Sequence, residues 1–215
     1  MARVVSINVG MPREVAYETT TLPSTSIEKH PVAGPVAITA AGVAGNASAD
    51  TSVHGDEFMR VYAYSVEDYA WWQAELLRPL EPGLFGEQLT TEGIDLNAAV
   101  VGETWRVGTA LLQIAHVRTP CLTFKGWMGA NGHDATGWVK RFALAGRAGP
   151  YFRVLEEGVV AAGDEIVVTD RPDHGVTVAE LFAALTIAPR LLPRVAEVPG
   201  LKSWVYERAA RVGSR

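Results

Sequence analysis

The chain contains a single cysteine, Cys121, so no internal disulfide framework can hold the fold. It has no apolar run near the ~18 residues that a membrane span needs. Its opening stretch, MARVVSINVG, lacks the long apolar segment of a secretion signal. The expectation is a soluble protein of a reducing cytoplasm. Neither a G-x-G-x-x-G nor a Walker sequence occurs, which leaves the usual nucleotide-binding folds without support. Excess positive charge is also missing. There are 19 Lys and Arg against 24 Asp and Glu, a net charge of -5, which gives no general attraction for nucleic acid. The 5 histidines are scattered, and with one cysteine they offer no ligand pair at zinc-site spacing.

What is present is ordinary globular composition: 215 residues, 48% hydrophobic and 20% charged, enough for one domain or one domain with an appendage. Gly (21) and Pro (12) are abundant, which favours turns and short strands over long helices. Alternation predicts strands over Arg3–Val9, Val36–Ala40, Val61–Tyr64, Thr104–Val107, Thr109–Val117, Tyr151–Leu155 and Glu165–Thr169. Ser65 with Asp68 three residues on predicts a helix over 66–77, ended by Pro79. Its aromatics Tyr69, Trp71 and Trp72 are expected to pack. Gly10–Ser26 and Gly42–Asp56 read as loops. Thr177 and Glu180 open a helical tail, with Val178, Leu181, Phe182 and Leu185 on one stripe. Two further short helices are expected, near Pro189–Val195 and after Gly200. Many short strands with regularly spaced glycine turns predict a barrel or sandwich over residues 1–172. A three-helix extension follows over 173–215, too small for its own core.

One strand carries a chemical signal. With period two, Leu112, Ile114, His116 and Arg118 share a face that turns from aliphatic to basic towards its end. Thr119-Pro120 then breaks the ladder, and Cys121 follows. On residues alone Cys121 is either a small buried hydrophobe or a thiol activated by the Arg118 guanidinium as nucleophile or metal ligand. His54 sits in a loop, with a glycine after it and acidic residues on both sides that could orient it. Glu87 follows a glycine, as equally suits a turn.

In order along the chain, several motifs resemble the MOSC domain family. They are Thr25-Ser26-Ile27-Glu28-Lys29-His30-Pro31-Val32, Gly42-Val43-x-Gly45, Ala49-Asp50-x-x-Val53-His54-Gly55, Gly86-Glu87, Gly102-Glu103-x-x-Arg106-x-Gly108 and Arg118-x-Pro120-Cys121. Gly200-Leu201-Lys202-Ser203-Trp204 is similar to the helical extension of the YiiM-like subgroup. The resemblance implies a mainly β (α+β) fold, a MOSC-type β-barrel with a small three-helix extension. It also implies the molybdenum cofactor, reduction of N-hydroxylated small molecules such as hydroxylaminopurines or amidoximes, and a separate flavin reductase as electron donor. Cys121 is then the metal ligand, with His54 beside it in catalysis. Lys29, Arg118, Asn46, Glu87, Arg60 and His116 are the implied cofactor contacts, Lys29 and Arg118 holding the anionic phosphate and pterin. A soft thiolate suits molybdenum, and a phosphate suits guanidinium and ammonium partners.

Some positions depart from the family pattern. After His54-Gly55 the chain reads Asp56-Glu57-Phe58-Met59-Arg60, with Met59 at the usual basic position and Arg60 one place later. The family's Gly-Asp becomes Gly45-Asn46, and its Glu-Asn becomes Glu87-Gln88. Three readings stay open: a reductase, a cofactor or sulfur carrier without turnover, and a structural relative. No membrane partner is expected, and the helical tail leaves a homodimer possible.

Overall fold

The computed structural model describes residues 1–17, 23–49 and 56–213. Its centre is an eight-stranded sheet in the order β13-β9-β10-β11-β7-β8-β1-β4. The strands are β1 (Arg3–Val9), β4 (His30–Val32), β7 (Val61–Ser65), β8 (Leu89–Glu92), β9 (Thr104–Val107), β10 (Ala110–Val117), β11 (Pro150–Glu156) and β13 (Ile166–Asp170). A three-stranded sheet joins β12 (Gly158–Val160), β5 (Val36–Thr39) and β6 (Gly42–Val43). Inside the expected loop after Gly10, β2 (Arg13–Glu14) pairs with β3 (Ser24–Thr25).

Most neighbours are antiparallel, as hairpin signals imply. The exception is β7 beside β8, which run parallel because helix α1 (Val66–Leu76) carries the chain across between them. Ser65 caps that helix by accepting from the Asp68 N–H at 3.1 Å. Tyr69 and Trp72 are buried as expected, while Trp71 is half-buried under the Arg147 guanidinium.

The sheet does not form a closed barrel by a continuous ladder. The start of β1 meets the segment before β13 through a single bridge, Arg3 to Glu165, with Val4 N–H donating to the Asp164 carbonyl at 2.9 Å. The physical reason is competition for one edge: β4 pairs with β1 over Ile7–Val9, leaving only its first residues for the other end of the sheet.

Two helices lie in a stretch for which the sequence reading assigned no element: α2 (Leu122–Ala130) and α3 (Trp138–Ala145). With α1 they bury an aromatic cluster of Trp72, Phe85, Phe124, Trp138 and Phe142. The C-terminal part comprises α4 (Val178–Leu185), a 3-10 turn at Pro189–Leu191, α5 (Leu192–Val195) and α6 (Ser203–Gly213). Val178 N–H donates to the Ala99 carbonyl at 2.8 Å, and the apolar stripe of α4 shares one continuous core with the sheet. Among the described residues no helix is long and apolar enough to cross a membrane.

Candidate functional site

Strand β10 delivers the first site residue. Leu112 and Ile114 are wholly buried, and the chain leaves the ladder after Val117, ahead of Pro120. The Arg118 side chain turns inward, its guanidinium 4.4 Å from the centre of the Phe124 ring and 5.3 Å from that of Tyr62. Among the described residues its Nε is buried without a hydrogen-bond partner. Burial works against the Arg118 charge, but Tyr151, Tyr62 and Cys121 nearby outweigh that effect and hold its pKa above the ordinary value.

Three residues on, Cys121 is exposed and serves as the N-cap of α2, its Sγ accepting from the Phe124 N–H at 3.4 Å. The reading of Cys121 as a buried hydrophobe therefore falls. The thiol is accessible and stands near a buried guanidinium.

Lys29 arrives from the segment before β4 and is buried. Its Nζ donates to Asn46 Oδ1 at 2.6 Å and to the Ser26 carbonyl at 2.8 Å. Asn46 is held in turn by accepting from the Gly10 N–H at 3.2 Å. Burial pushes the Lys29 pKa down from 10.5 to about 8, and the Arg118 charge adds to the fall, while Glu87 works the other way. Among the described residues neither Lys29 nor Arg118 forms an ion pair.

Glu87 organises the turn that packs against both cations. Its Oε1 accepts from the Tyr69 hydroxyl at 2.7 Å, the Gly83 N–H at 2.6 Å and the Thr90 hydroxyl at 2.8 Å. Its Oε2 is buried without a partner, and burial pushes the carboxyl pKa up. The turn needs its glycines. Gly83 has φ +92, and a Cβ there would stand 2.5 Å from the Lys29 carbonyl. At Gly86, with φ +77, a Cβ would stand 3.4 Å from the Arg118 guanidinium.

The structure thus brings together Lys29, Asn46, Glu87, Arg118 and Cys121. His116 and Arg60 have other neighbours among the described residues. His116 is buried edge-on to Trp204, with ring centres 5.8 Å apart, and its Nδ1 has no partner. Burial lowers its pKa from 6.5 to about 3, with Lys202 adding to the effect and Asp56 opposing it. Arg60 donates its backbone N–H to the Phe152 carbonyl, and its Nε is also buried without a partner. Met59, at the family's usual basic position, has its Sδ 2.9 Å from the Lys202 ammonium, which also pairs with Asp56 at 2.7 Å. His54 lies outside the described residues.

The sequence reading missed Tyr62 and Tyr151, which pair across β7 and β11 with ring centres 4.8 Å apart beside Arg118. A tyrosine on each of two buried strands was the available signal, since a buried phenol needs a polar neighbour. Chemically, two buried cations without a carboxylate partner form an anion site, and an accessible thiol stands next to it.

A family model described as "MOSC domain" matches residues 50–167. The chain is 31% identical over 175 residues to YflK of Bacillus subtilis (strain 168), covering 81% of this chain and 76% of that protein. It is 30% identical over 188 residues to a protein named "Reductase" from Gibberella moniliformis (strain M3125 / FGSC 7600), covering 82% of this chain but 32% of that protein. The solved structure of YiiM from Geobacillus stearothermophilus superposes with a TM-score of 0.78 at 27% identity, covering 99% of each chain. A model that spans more than half the sequence, together with a relative aligned over most of both chains, shows that this chain belongs to the MOSC domain family, with a YiiM-like fold.

Proposed function

We propose that the chain is a molybdenum-cofactor-dependent oxidoreductase acting on N-hydroxylated small molecules. MOSC domains are associated with that cofactor, and the donor set here fits it. The observation that carries the reading is the pair of buried cations, Lys29 and Arg118, neither in an ion pair among the described residues, beside the exposed thiol of Cys121. A phosphate-bearing group would neutralise both charges and satisfy the orphaned Nε of Arg118. A soft thiolate is the ligand type that suits molybdenum.

When bound, the cofactor supplies the two electrons that, with two protons, convert N–OH to N–H and release water. Cys121 ligates the metal. Lys29 and Arg118 hold the anionic phosphate, and Asn46 and the Ser26 carbonyl fix the Lys29 ammonium in place. Glu87 is a positioning residue, holding the 83–87 turn against both cations. A flavin reductase would supply the electrons in this reading. The likeness to a longer protein named as a reductase supports a redox role.

The test is to produce the protein in a host that makes the cofactor, measure bound molybdenum by elemental analysis, and assay reduction of a hydroxylaminopurine and an amidoxime. Wild type should retain metal and Cys121→Ser should not. Equal, negligible metal in both ends the proposal, and metal without reduction turns it into a carrier.

A further inference from the structure

A groove of about 620 Å³ lies against the turn that carries Cys121. Pro120 and Leu122, the chain neighbours of Cys121, line one part of it, and Ile187 and Trp204 from the C-terminal part line another. Leu122 is 44% exposed, Ile187 51% and Trp204 39%, so large apolar side chains face solvent together in one concavity. Grouped exposure of this kind marks a binding surface more than scattered apolar residues do. The volume falls within the ~300–1,000 Å³ typical of small-molecule sites.

The charge of the groove is one-sided. Lys125, Lys140 and Arg208 line it, and no Asp or Glu does among the described residues. Neither lysine forms an ion pair among the described residues, and Arg208 donates to the Leu185 carbonyl at 3.0 Å. A cation-only lining on a chain of net charge -5 runs against the overall balance and focuses a local positive potential. Apolar walls favour an apolar body, and the uncompensated ammonium groups favour a single oxyanion on it.

We propose that this groove is a binding site for small amphipathic anions, a ring-sized apolar body bearing one oxyanion group. The site is separate from the Lys29–Arg118 anion site. It adjoins that region only through the turn around Cys121.

The test is calorimetric titration of the full chain with two probes of nearly equal shape, 2-naphthoate and the neutral 2-naphthamide. Naphthoate should bind at least about tenfold more tightly. The double variant Lys125→Gln/Lys140→Gln should lose that preference while keeping its affinity for the amide. Ile187→Asp should weaken both probes. Melting curves identify any variant that fails to fold, and Lys140→Gln alone, on an exposed side chain, then serves in place of the double variant. Equal affinity for the two probes, or a preference that survives loss of the lysines, overturns the proposal. So does a dimer in sedimentation that Ile187→Asp dissociates, because a second copy then fills the groove. The readout needs neither metal nor turnover, so its failure and that of the redox reading are distinguishable.

Discussion

Lys29 and Arg118 are buried close enough for the guanidinium to lower the pKa of the ammonium, yet among the described residues neither has an ion-pair partner. For Lys29 the loss of water outweighs the attraction of Glu87, so the fold disfavours its charge. Asn46 fixes the Lys29 ammonium and Glu87 holds the Gly83 turn against it, so in the proposed function both cations face a bound anion.

Replacing Lys29 with Met separates stability from binding. The folded-state pKa of about 8 lies below the ordinary 10.5, so the unfolded chain binds more protons between these values. Wild-type stability therefore rises as pH climbs from about 8 to 10.5, and the cost of the buried charge is fully present below about 8. That cost is roughly 3 kcal/mol, offset by about 1 kcal/mol for each of the two hydrogen bonds. Lys29→Met should thus be more stable at pH 7 by about 1 kcal/mol and show no rise across that window. Phosphate should raise the wild-type melting temperature, less so above pH 8 where the ammonium loses its proton, and Lys29→Met should lose that rise. Urea denaturation and melting curves with and without phosphate check both points.

Cys121 caps α2 and, in the proposed function, holds the metal, and one substitution separates the two. As N-cap it accepts from the Phe124 N–H through a long 3.4 Å contact to sulfur, whereas a serine hydroxyl is among the best caps. Cys121→Ser should keep or raise stability by about 0.5 kcal/mol, and Cys121→Ala should lower it by up to about 1 kcal/mol. Both should lose bound molybdenum. A serine variant that loses metal while melting no lower than wild type shows that the thiol holds the metal through its own chemistry.

Much of the frame was readable because its physics is local. Alternation marks β1 and the β9–β10 hairpin, Gly108 marks the turn between those two strands, and Ser65 and Thr177 mark the starts of α1 and α4. Helices α2 and α3 were not readable. Gly126 and Gly129 dilute the first, and the second starts after Gly137 with no side-chain cap, unlike α4 with its Thr177 capping box. Period two put His116 and Arg118 on one face, but β10 ends at Val117, so Arg118 lies beyond the ladder and the two side chains end among different neighbours. The Lys29–Asn46 contact joins positions seventeen residues apart with no periodic relation. Only the family resemblance pointed to it.

Glu87 should tolerate an amide better than truncation. One carboxyl oxygen takes three donors, from Tyr69, Gly83 and Thr90, and burial favours the uncharged acid. Glu87→Gln keeps an oxygen for those donors and should cost about 1 kcal/mol or less. Glu87→Ala strands all three and leaves a cavity, for a loss of about 3 kcal/mol. It should also release the 83–87 turn from Lys29 and Arg118 and weaken phosphate binding. Denaturant titration of the two variants beside wild type distinguishes the outcomes.

His116 should set part of the acid limit of the fold. Its folded-state pKa of about 3 lies below the ordinary 6.5, so the unfolded chain binds the extra proton between those values. The stability tied to neutral His116 is complete above pH 6.5 and is lost progressively as pH falls towards 3. The groups facing it explain the direction: the ring packs edge-on to Trp204, Lys202 repels an imidazolium, and Asp56 only partly compensates because it is already paired with Lys202 at 2.7 Å. Since Nδ1 has no partner, His116→Phe removes no hydrogen bond at that atom and keeps an edge-to-face ring contact. The variant should match wild type near pH 7 and exceed it by about 3 kcal/mol near pH 4.5, since one group titrating in the unfolded state alone contributes about 1.4 kcal/mol per pH unit. Urea denaturation from pH 7 to 4 measures that difference. An unchanged acid slope in His116→Phe means the imidazole is not held neutral in the folded state, and the packing of α6 over β10 is then looser than this geometry requires.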